Sequence, residues 1–323
     1  MSKAIRIHET GGPEVLRWEE VPVEAPRKGE VLLRQTAVGL NYIDTYHRTG
    51  LYPLDLPATL GREAGGVIEA IGDEVEDLSV GDRVAYALEP GAYCEKRVIG
   101  ADRLVRVPDS IDDRTAAAMM LKGLTVQYLL RRSYRVDPGD AILIHAAAGG
   151  VGLIACQWAK TLGATVIGTV GSPEKAELAA SHGCDHPILY KEADFVERVR
   201  NLTGGAGVRV VYDSVGRDTF DGSLDCLARH GTLVSFGQSS GPVEPFNAGI
   251  LAAKGSLYLT RPTLAHFIAS RVELESAAEE LFALHASGGL RVEIGRTYPL
   301  GDAAQAHRDL EARATSGSTI LLP

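Results

Sequence analysis

Ala141-Ile142-Leu143-Ile144-His145-Ala146-Ala147-Ala148-Gly149-Gly150-Val151-Gly152 leads from a short apolar strand, through a turn of small residues, into a helix spanning residues 150–162 that stops at Gly163. Set against G-x-G-x-x-G, the three key positions are Ala147, Gly149 and Gly152, so alanine stands in the first place. Gly149 lets the backbone approach a pyrophosphate, and Gly152 lets the helix pack closely on the strand. The helix start offers free N–H groups and the positive end of its dipole. A glycine-rich turn alone is common and reads equally as a structural tight turn. Its placement after a strand, before a helix and at the head of a strand–helix series is what makes it a dinucleotide signal.

Working outward, the same grammar repeats. Strands are expected at 164–170, 208–212, 231–236 and 255–260, with helices at 173–182 and 194–202. Alternation at this pitch predicts an α/β unit, a parallel sheet covered on both faces by helices. The first hundred residues read differently. Residues 4–8, 30–38 and 66–71 are β-branched segments bounded by Gly, Pro and Asp, the pattern of an antiparallel or barrel-like unit. Ser110 is the expected cap of a helix running from Arg114 to Arg132, and a further helix covers 273–286. The tail from 292 to 323 mixes short strands with a helix near 303–311 and is expected to pack back on the first unit.

The tip of the second strand bears on cofactor choice. NAD enzymes usually carry an acid there for the ribose 2′-hydroxyl. Here the place reads Gly171-Ser172-Pro173-Glu174-Lys175, with no acid at the tip itself. Gly171 leaves room, Ser172 can donate and Lys175 brings positive charge, so NADPH is expected over NADH. Glu174 weakens the inference, and Lys175 also reads as a surface lysine near a helix start. Tyr190, Ser214 and Phe236-Gly237-Gln238-Ser239 lie at further strand ends facing the same crevice by the switch-point rule. Gly237-Gln238-Ser239-Ser240-Gly241 also matches a hydrolase nucleophile elbow, but Pro242 and Pro245 follow where that elbow needs a helix.

Composition narrows the classes. With 323 residues the chain suits about two domains at roughly 150 residues each. Lys and Arg total 33 against 42 Asp and Glu, a net charge of −9, which counts against a basic nucleic-acid surface. No apolar run reaches the ~18 residues of a membrane helix, and charges at Lys3 and Arg6 interrupt any leader-like start, so a cytoplasmic protein is expected. Cys94, Cys156, Cys184 and Cys226 are too scattered for a zinc knuckle or disulfide framework. His182, Cys184 and His186 would share one face of an extended segment, but a buried strand entry explains them equally well and no metal is expected.

Gly11-Gly12-Pro13-Glu14-Val15-Leu16, Asn41-Tyr42-Ile43-Asp44-Thr45-Tyr46, Gly50-Leu51-Tyr52-Pro53, Lys122-Gly123-Leu124-Thr125, residues 146–158, Val211-Tyr212-Asp213-Ser214-Val215-Gly216 and Ser235-Phe236-Gly237 together carry a resemblance. The chain resembles the zeta-crystallin-like quinone oxidoreductase branch of the medium-chain dehydrogenase/reductase superfamily, almost end to end. That implies a GroES-like β-barrel catalytic domain over 1–123, a Rossmann doubly wound parallel sheet over 124–264, and a return to the catalytic domain over 265–323. Zinc-dependent relatives have cysteine where this chain has Asn41, and Gly-His-Glu where it has Gly61-Arg62-Glu63, so a metal-free reductase is implied. The implied reaction is hydride transfer from NADPH to a quinone, with an alkenal or enone C=C reductase as the alternative acceptor class. An NADPH-binding or RNA-binding crystallin-like role is the alternative without catalysis.

By the same resemblance, Asn41 would contact the nicotinamide or acceptor, while Tyr46 and Tyr52 would be walls or proton donors; packing is the plainer reading of both tyrosines. Tyr42, Ile43, Asp44, Thr45, Tyr46, Tyr128, Gly150, Val151, residues 171–175, Tyr190, Ser214, residues 236–239 and Arg313 would line the cofactor site, alongside Gly149 and Gly152 of the turn. Arg313 alone also reads as a helix-end arginine. A homodimer is expected from residues 255–260, a late strand with Leu257 and Leu259 unpaired on one side.

Overall fold

The computed structural model describes residues 1–323, which divide into two compact units. Unit 1 comprises Met1–Leu124, Ile268–Phe282 and Val292–Pro323; unit 2 comprises Thr125–Phe267 and Ala283–Arg291.

Unit 1 begins with strands β1 (Ser2–Ile7), β2 (Arg17–Val21) and β3 (Glu30–Leu40), then helix α1 (Tyr42–Arg48). Strands β4 (Ala58–Thr59), β5 (Glu63–Ile71), β6 (Arg83–Ala87), β7 (Lys96–Gly100) and β8 (Val105–Arg106) follow, and helix α2 (Asp113–Tyr128) starts in this unit. β3 organises the barrel-like sheet. Val31, Leu33, Gln35 and Ala37 point inward at period two, while Glu30 and Arg34 point outward. β3 pairs antiparallel with both β5 and β7. Ile5, Ile7, Leu33, Leu60, Ile68 and Tyr86 fill the core beneath it. Gln35, buried among them, donates to the Ala92 carbonyl at 2.7 Å, so its burial leaves no orphan amide there.

The start of α2 differs from expectation. Ser110 lies inside a turn closed by the Ile111 amide on the Pro108 carbonyl, and Asp112 caps the helix instead, accepting from the Thr115 amide at 2.9 Å. The α-helix also stops at Tyr128, and Leu129–Ser133 forms one wider π-type turn rather than continuing to Arg132.

Unit 2 alternates strand and helix: β9 (Ala141–Ile144), α3 (Gly150–Thr161), β10 (Thr165–Val170), α4 (Pro173–Ala180), β11 (His186–Leu189), α5 (Phe195–Leu202), β12 (Val208–Asp213), α6 (Phe220–Cys226), β13 (Leu227–Ser235), α7 (Gly249–Ala253) and β14 (Tyr258–Thr260). The order β11-β10-β9-β12-β13-β14, parallel at every pairing, is a doubly wound sheet with its switch point between β9 and β12. α6 has no counterpart in the sequence reading, since its seven residues are too short to show a clear period; it buries Phe220 and Leu224. β13 starts earlier than residue 231 because Leu227 pairs with Val208 across an irregularity that precedes Val210. Leu257, expected to stand unpaired at the edge, is buried in this core, and Leu259 packs against it.

The remaining elements are α8 (Arg271–Ala286), β15 (Ile294–Pro299), α9 (Ala303–Glu311) and β16 (Ser318–Leu322). The expected unbroken return over 265–323 is interrupted, because Ala283–Arg291 groups with unit 2. There the Gln157 amide and carbonyl oxygen clamp Arg291 backbone groups at 3.0 and 2.9 Å. β16 then lies between β15 and β3, with Ile320 and Leu321 fully buried. No helix is long and apolar enough to cross a membrane.

Candidate active site

On unit 2, the β9–α3 turn is built for close approach. Ala146 adopts φ +54°, a left-handed conformation uncommon for a residue with a side chain. Its amide reaches the Thr169 hydroxyl at 3.4 Å, and the Ala147 amide donates to the Thr169 carbonyl at 3.0 Å. A β-carbon at Gly152 would lie 2.7 Å from Ala147 Cα, so only glycine lets α3 sit this close to the strand. Gly149 is the N-cap of α3 and contributes no side chain to the cap, which leaves the first-turn N–H groups of Gly150, Val151 and Gly152 for an anion.

The tip of β10 carries residues 171–175 as expected. Ser172 caps α4, accepting from the Lys175 amide at 3.3 Å, with Pro173 in the first helical turn and Glu174 beside it; the Ser172 hydroxyl holds the exposed Glu174 carboxyl below its usual range. Lys175 is half-buried, and a β-carbon at Gly171 would lie 3.2 Å from the Tyr190 hydroxyl, so Gly171 and Tyr190 meet. At the ends of β12 and β13, Ser214 and Phe236–Ser239 also converge: the Ser239 amide donates to the Ser214 carbonyl at 3.2 Å, and the Phe236 amide to the Asp213 carbonyl at 2.8 Å. No helix follows Ser239 until Gly249, so the elbow reading fails. Tyr128 is buried and stacked on Phe267, centroids 4.5 Å apart.

Beneath these loops runs a buried polar chain that sequence reasoning missed. Asp213 accepts from the Val215 amide at 2.8 Å, the Gly216 amide at 3.0 Å and the Ser223 hydroxyl at 2.9 Å. Ser223 spends its proton on Asp213, so its oxygen accepts from His145 Nε2–H at 3.0 Å, and His145 Nδ1 accepts from the Thr169 hydroxyl at 2.9 Å. Burial holds this imidazole neutral, against the pull of the Asp213 charge. The chain locks three strand ends to one another. Its only sequence signal was a polar residue at the end of each apolar strand.

On unit 1, α1 carries Asn41 at its cap and residues 42–46 in its body. Asn41 and Asp44 form a reciprocal capping box, with the Asn41 amide donating to Asp44 Oδ2 at 2.9 Å. The Asn41 side chain is buried and donates to Glu63 Oε2 at 2.8 Å. Glu63 also takes the Lys122 ammonium at 2.8 Å and the Leu121 amide at 2.7 Å. Asn41 is thus committed to an anchored pair of charges.

Asp44 is fully buried. It accepts from the Tyr93 hydroxyl at 2.9 Å, while its Oδ1 has no partner. Burial pushes its carboxyl up to about 7, opposed by the Asn41 amide, Tyr93, Lys122 and Arg62. Tyr93 is also 3.0 Å from His307 Nε2; Arg48 donates to His307 Nδ1 at 3.0 Å and pairs with Glu311 at 2.6 Å. Thr45 is buried, and its hydroxyl donates back to the Tyr42 carbonyl at 2.8 Å; Ile43 is half-buried. Tyr42, Tyr46 and Tyr52 form an aromatic row, with centroids 6.3 and 5.3 Å apart, and the Tyr42 hydroxyl donates to the Leu310 carbonyl at 3.1 Å. Arg313, just past α9 at φ +57°, is exposed.

No group of three or more His, Cys, Asp or Glu side chains is arranged to hold a metal. His182 instead lies 2.8 Å from the Leu178 carbonyl through Nδ1 and accepts from Arg291 through Nε2 at 3.0 Å. The four cysteines are free and buried.

Comparison with known proteins places this architecture. An alcohol dehydrogenase GroES-like domain family matches residues 27–134, and a zinc-binding dehydrogenase family matches residues 150–283. A quinone oxidoreductase of Pseudomonas aeruginosa is 54% identical over 100% of both chains. A 2-haloacrylate reductase from a Burkholderia species is 47% identical over 100% of this chain and 99% of its own. The crystal structure of Escherichia coli quinone oxidoreductase complexed with NADPH is similar at TM-score 0.98 and 52% identity, covering 99% of this chain and 100% of that one. With the barrel-like unit, the doubly wound sheet and this end-to-end identity, the chain belongs to the quinone oxidoreductase family of the medium-chain dehydrogenase/reductases.

Proposed function

We propose that the protein is an NADPH-dependent quinone reductase that works without a metal. The observation that carries this reading is the β10 tip, which has no carboxylate at its end and leads into a serine-capped helix with Lys175 in its first turn, within a chain that matches quinone oxidoreductases along its whole length. When bound, NADPH supplies a hydride, which is two electrons and one hydrogen. The residues fit it: the Gly149–Gly152 turn suits the pyrophosphate, and Ser172 and Lys175 suit the 2′-phosphate. Tyr190 suits the adenosine side, and Ser214 with Phe236, Gly237, Gln238 and Ser239 suits the nicotinamide ribose. We assign Arg313 to a phosphate and Tyr128 to the support of the cofactor wall.

In this reading Tyr46 and Tyr52 are the aromatic wall for a flat acceptor. Asn41 acts by fixing α1, since its amide is bound to Glu63. Arg62 stands where the resemblance implies a zinc-ligating histidine, and a guanidinium has no lone pair for a cation. We also assign the protein to the cytoplasm. A homodimer formed through the exposed edge strand β14, where Tyr258 is 62% exposed, completes the proposal.

NADPH oxidation would be followed against a panel of quinones and enones, with NADH and with a chelator in parallel. The expected result is chelator-resistant quinone turnover that prefers NADPH, and Lys175→Ala should weaken that preference by roughly tenfold, about one charge-assisted hydrogen bond. Turnover of enones alone would transfer the protein to the C=C reductases, the reading favoured by its likeness to a 2-haloacrylate reductase. No turnover of either class would overturn the proposal.

A further inference from the structure

Arg62 is a half-buried guanidinium that leaves the start of β5 beside the aromatic row. Its Nη1 donates to the Leu88 carbonyl at 2.6 Å, and its Nη2 donates to His47 Nε2 at 2.7 Å. Both partners are neutral. Burial, then the Arg62 charge itself, holds His47 down at about 4. With Nε2 accepting, His47 Nδ1–H is left to donate to the Tyr52 carbonyl at 3.2 Å, and its ring meets Tyr52 edge-on at 5.7 Å. Leu88 is held at φ +73°, because its amide and carbonyl are both bonded to Arg62. Two of the five guanidinium donors are therefore fixed, and three remain.

A desolvated cation with neutral partners is costly unless something negative completes it. Burial pushes this guanidinium below its usual range; Asp44 and Glu89 are the charges that oppose the shift, and neither forms an ion pair with it. Asp44, its carboxyl pushed up to about 7 by burial, is only partly ionised at neutrality. No carboxylate forms an ion pair with Arg62, and an anionic oxygen is the partner that would complement its charge.

We infer that Arg62 is the catalytic residue that receives the acceptor's oxygen, and that the enzyme prefers acceptors whose oxygen carries or develops negative charge, such as hydroxyquinone anions and unsaturated carboxylates. This inference rests on the proposed reductase activity. When a quinone takes a hydride from the nicotinamide, which is oxidised, one quinone oxygen is left negative and then takes a proton from solvent. When an unsaturated carboxylate takes the hydride at its β-carbon, the charge spread onto its carboxylate oxygens is discharged by a solvent proton at the α-carbon. Arg62 is placed, through His47, against the Tyr46–Tyr52 wall, where it can meet that charge.

The test compares wild type, Arg62→Gln and Arg62→Lys in binding and turnover of hydroxynaphthoquinone anion and of unsubstituted naphthoquinone. Binding is read by titration of the NADP⁺-loaded protein, turnover by kcat/KM. Arg62→Gln is expected to lose roughly 30-fold in affinity for the anion, the size of a hydrogen bond to a charged group, with neutral quinone affinity little changed. Arg62→Lys should keep most of the anion affinity, and the NADPH dissociation constant should not move in either variant. Equal losses of binding affinity for the anionic and neutral ligands, or no loss of anion affinity, would overturn the inference. Should Arg62→Gln fail to fold, the salt dependence of anion binding to wild type and Arg62→Lys tests the same point: anion affinity independent of salt sinks the idea. If wild type turns over no quinone, the functional reading falls, while the anion titration still reports on Arg62.

Discussion

At the scale of single residues, the glycine and the charge pair are the informative positions. Gly152→Ala places a methyl group against the Ala147 backbone, so the β9–α3 turn must open. NADPH affinity should fall at least ~10-fold by fluorescence titration, against a folding loss of roughly 1–3 kcal/mol for overpacking. The Glu63–Lys122 pair is buried on both sides, at 0% and 6% exposure. Lys122→Met leaves the Glu63 charge uncompensated and should cost about 3–5 kcal/mol in a urea melt, with Lys122→Met/Glu63→Gln recovering part of it. Gly149, Gly152 and the residues of 171–175 were readable from sequence because motif spacing fixes their place. The buried pairings of Glu63 with Lys122 and of Asp44 through Tyr93 to His307 were not, because these partners, far apart in the chain, meet only once the sheet has closed.

At the scale of elements, α1 is held from below by a chain of hydrogen bonds, Asp44–Tyr93–His307–Arg48–Glu311. Burial, with the Arg48 charge second, depresses His307 to about 3. A depressed histidine lends stability that is complete above its ordinary value of 6.5 and is lost as pH falls from there toward 3. Asp44, raised to about 7, runs the other way: its contribution is complete below 3.8 and drains away as pH rises through 7. The melting temperature of His307→Gln should therefore be lower at pH 7 and flatter between pH 6.5 and 4 than that of wild type, by differential scanning calorimetry. An unchanged slope would remove His307 as the acid-sensitive group. Long alternating β3 and the β–α series announced themselves by period. The seven-residue α6 and the two-residue strands β4 and β8 did not, because so few residues carry no period to read.

At the scale of the whole molecule, the doubly wound sheet was legible and its edge only partly so. Leu257 and Leu259 face the core, and Tyr258 is the exposed residue of β14. If that edge pairs copies, Tyr258→Lys should shift the sedimentation coefficient from dimer to monomer at micromolar concentration. A wild-type monomer would dismiss the pairing. The chain order of the units has a further consequence for biosynthesis. Unit 2 is nearly continuous in sequence, while the Val38–Leu40 end of β3 in unit 1 waits for β16, which is made after all of unit 2. The nucleotide-binding half can thus mature on the nascent chain while the barrel-like half still lacks a strand. Until β16 is made, the Val38–Leu40 edge of β3 has no partner there and is open to chaperones, and to aggregation.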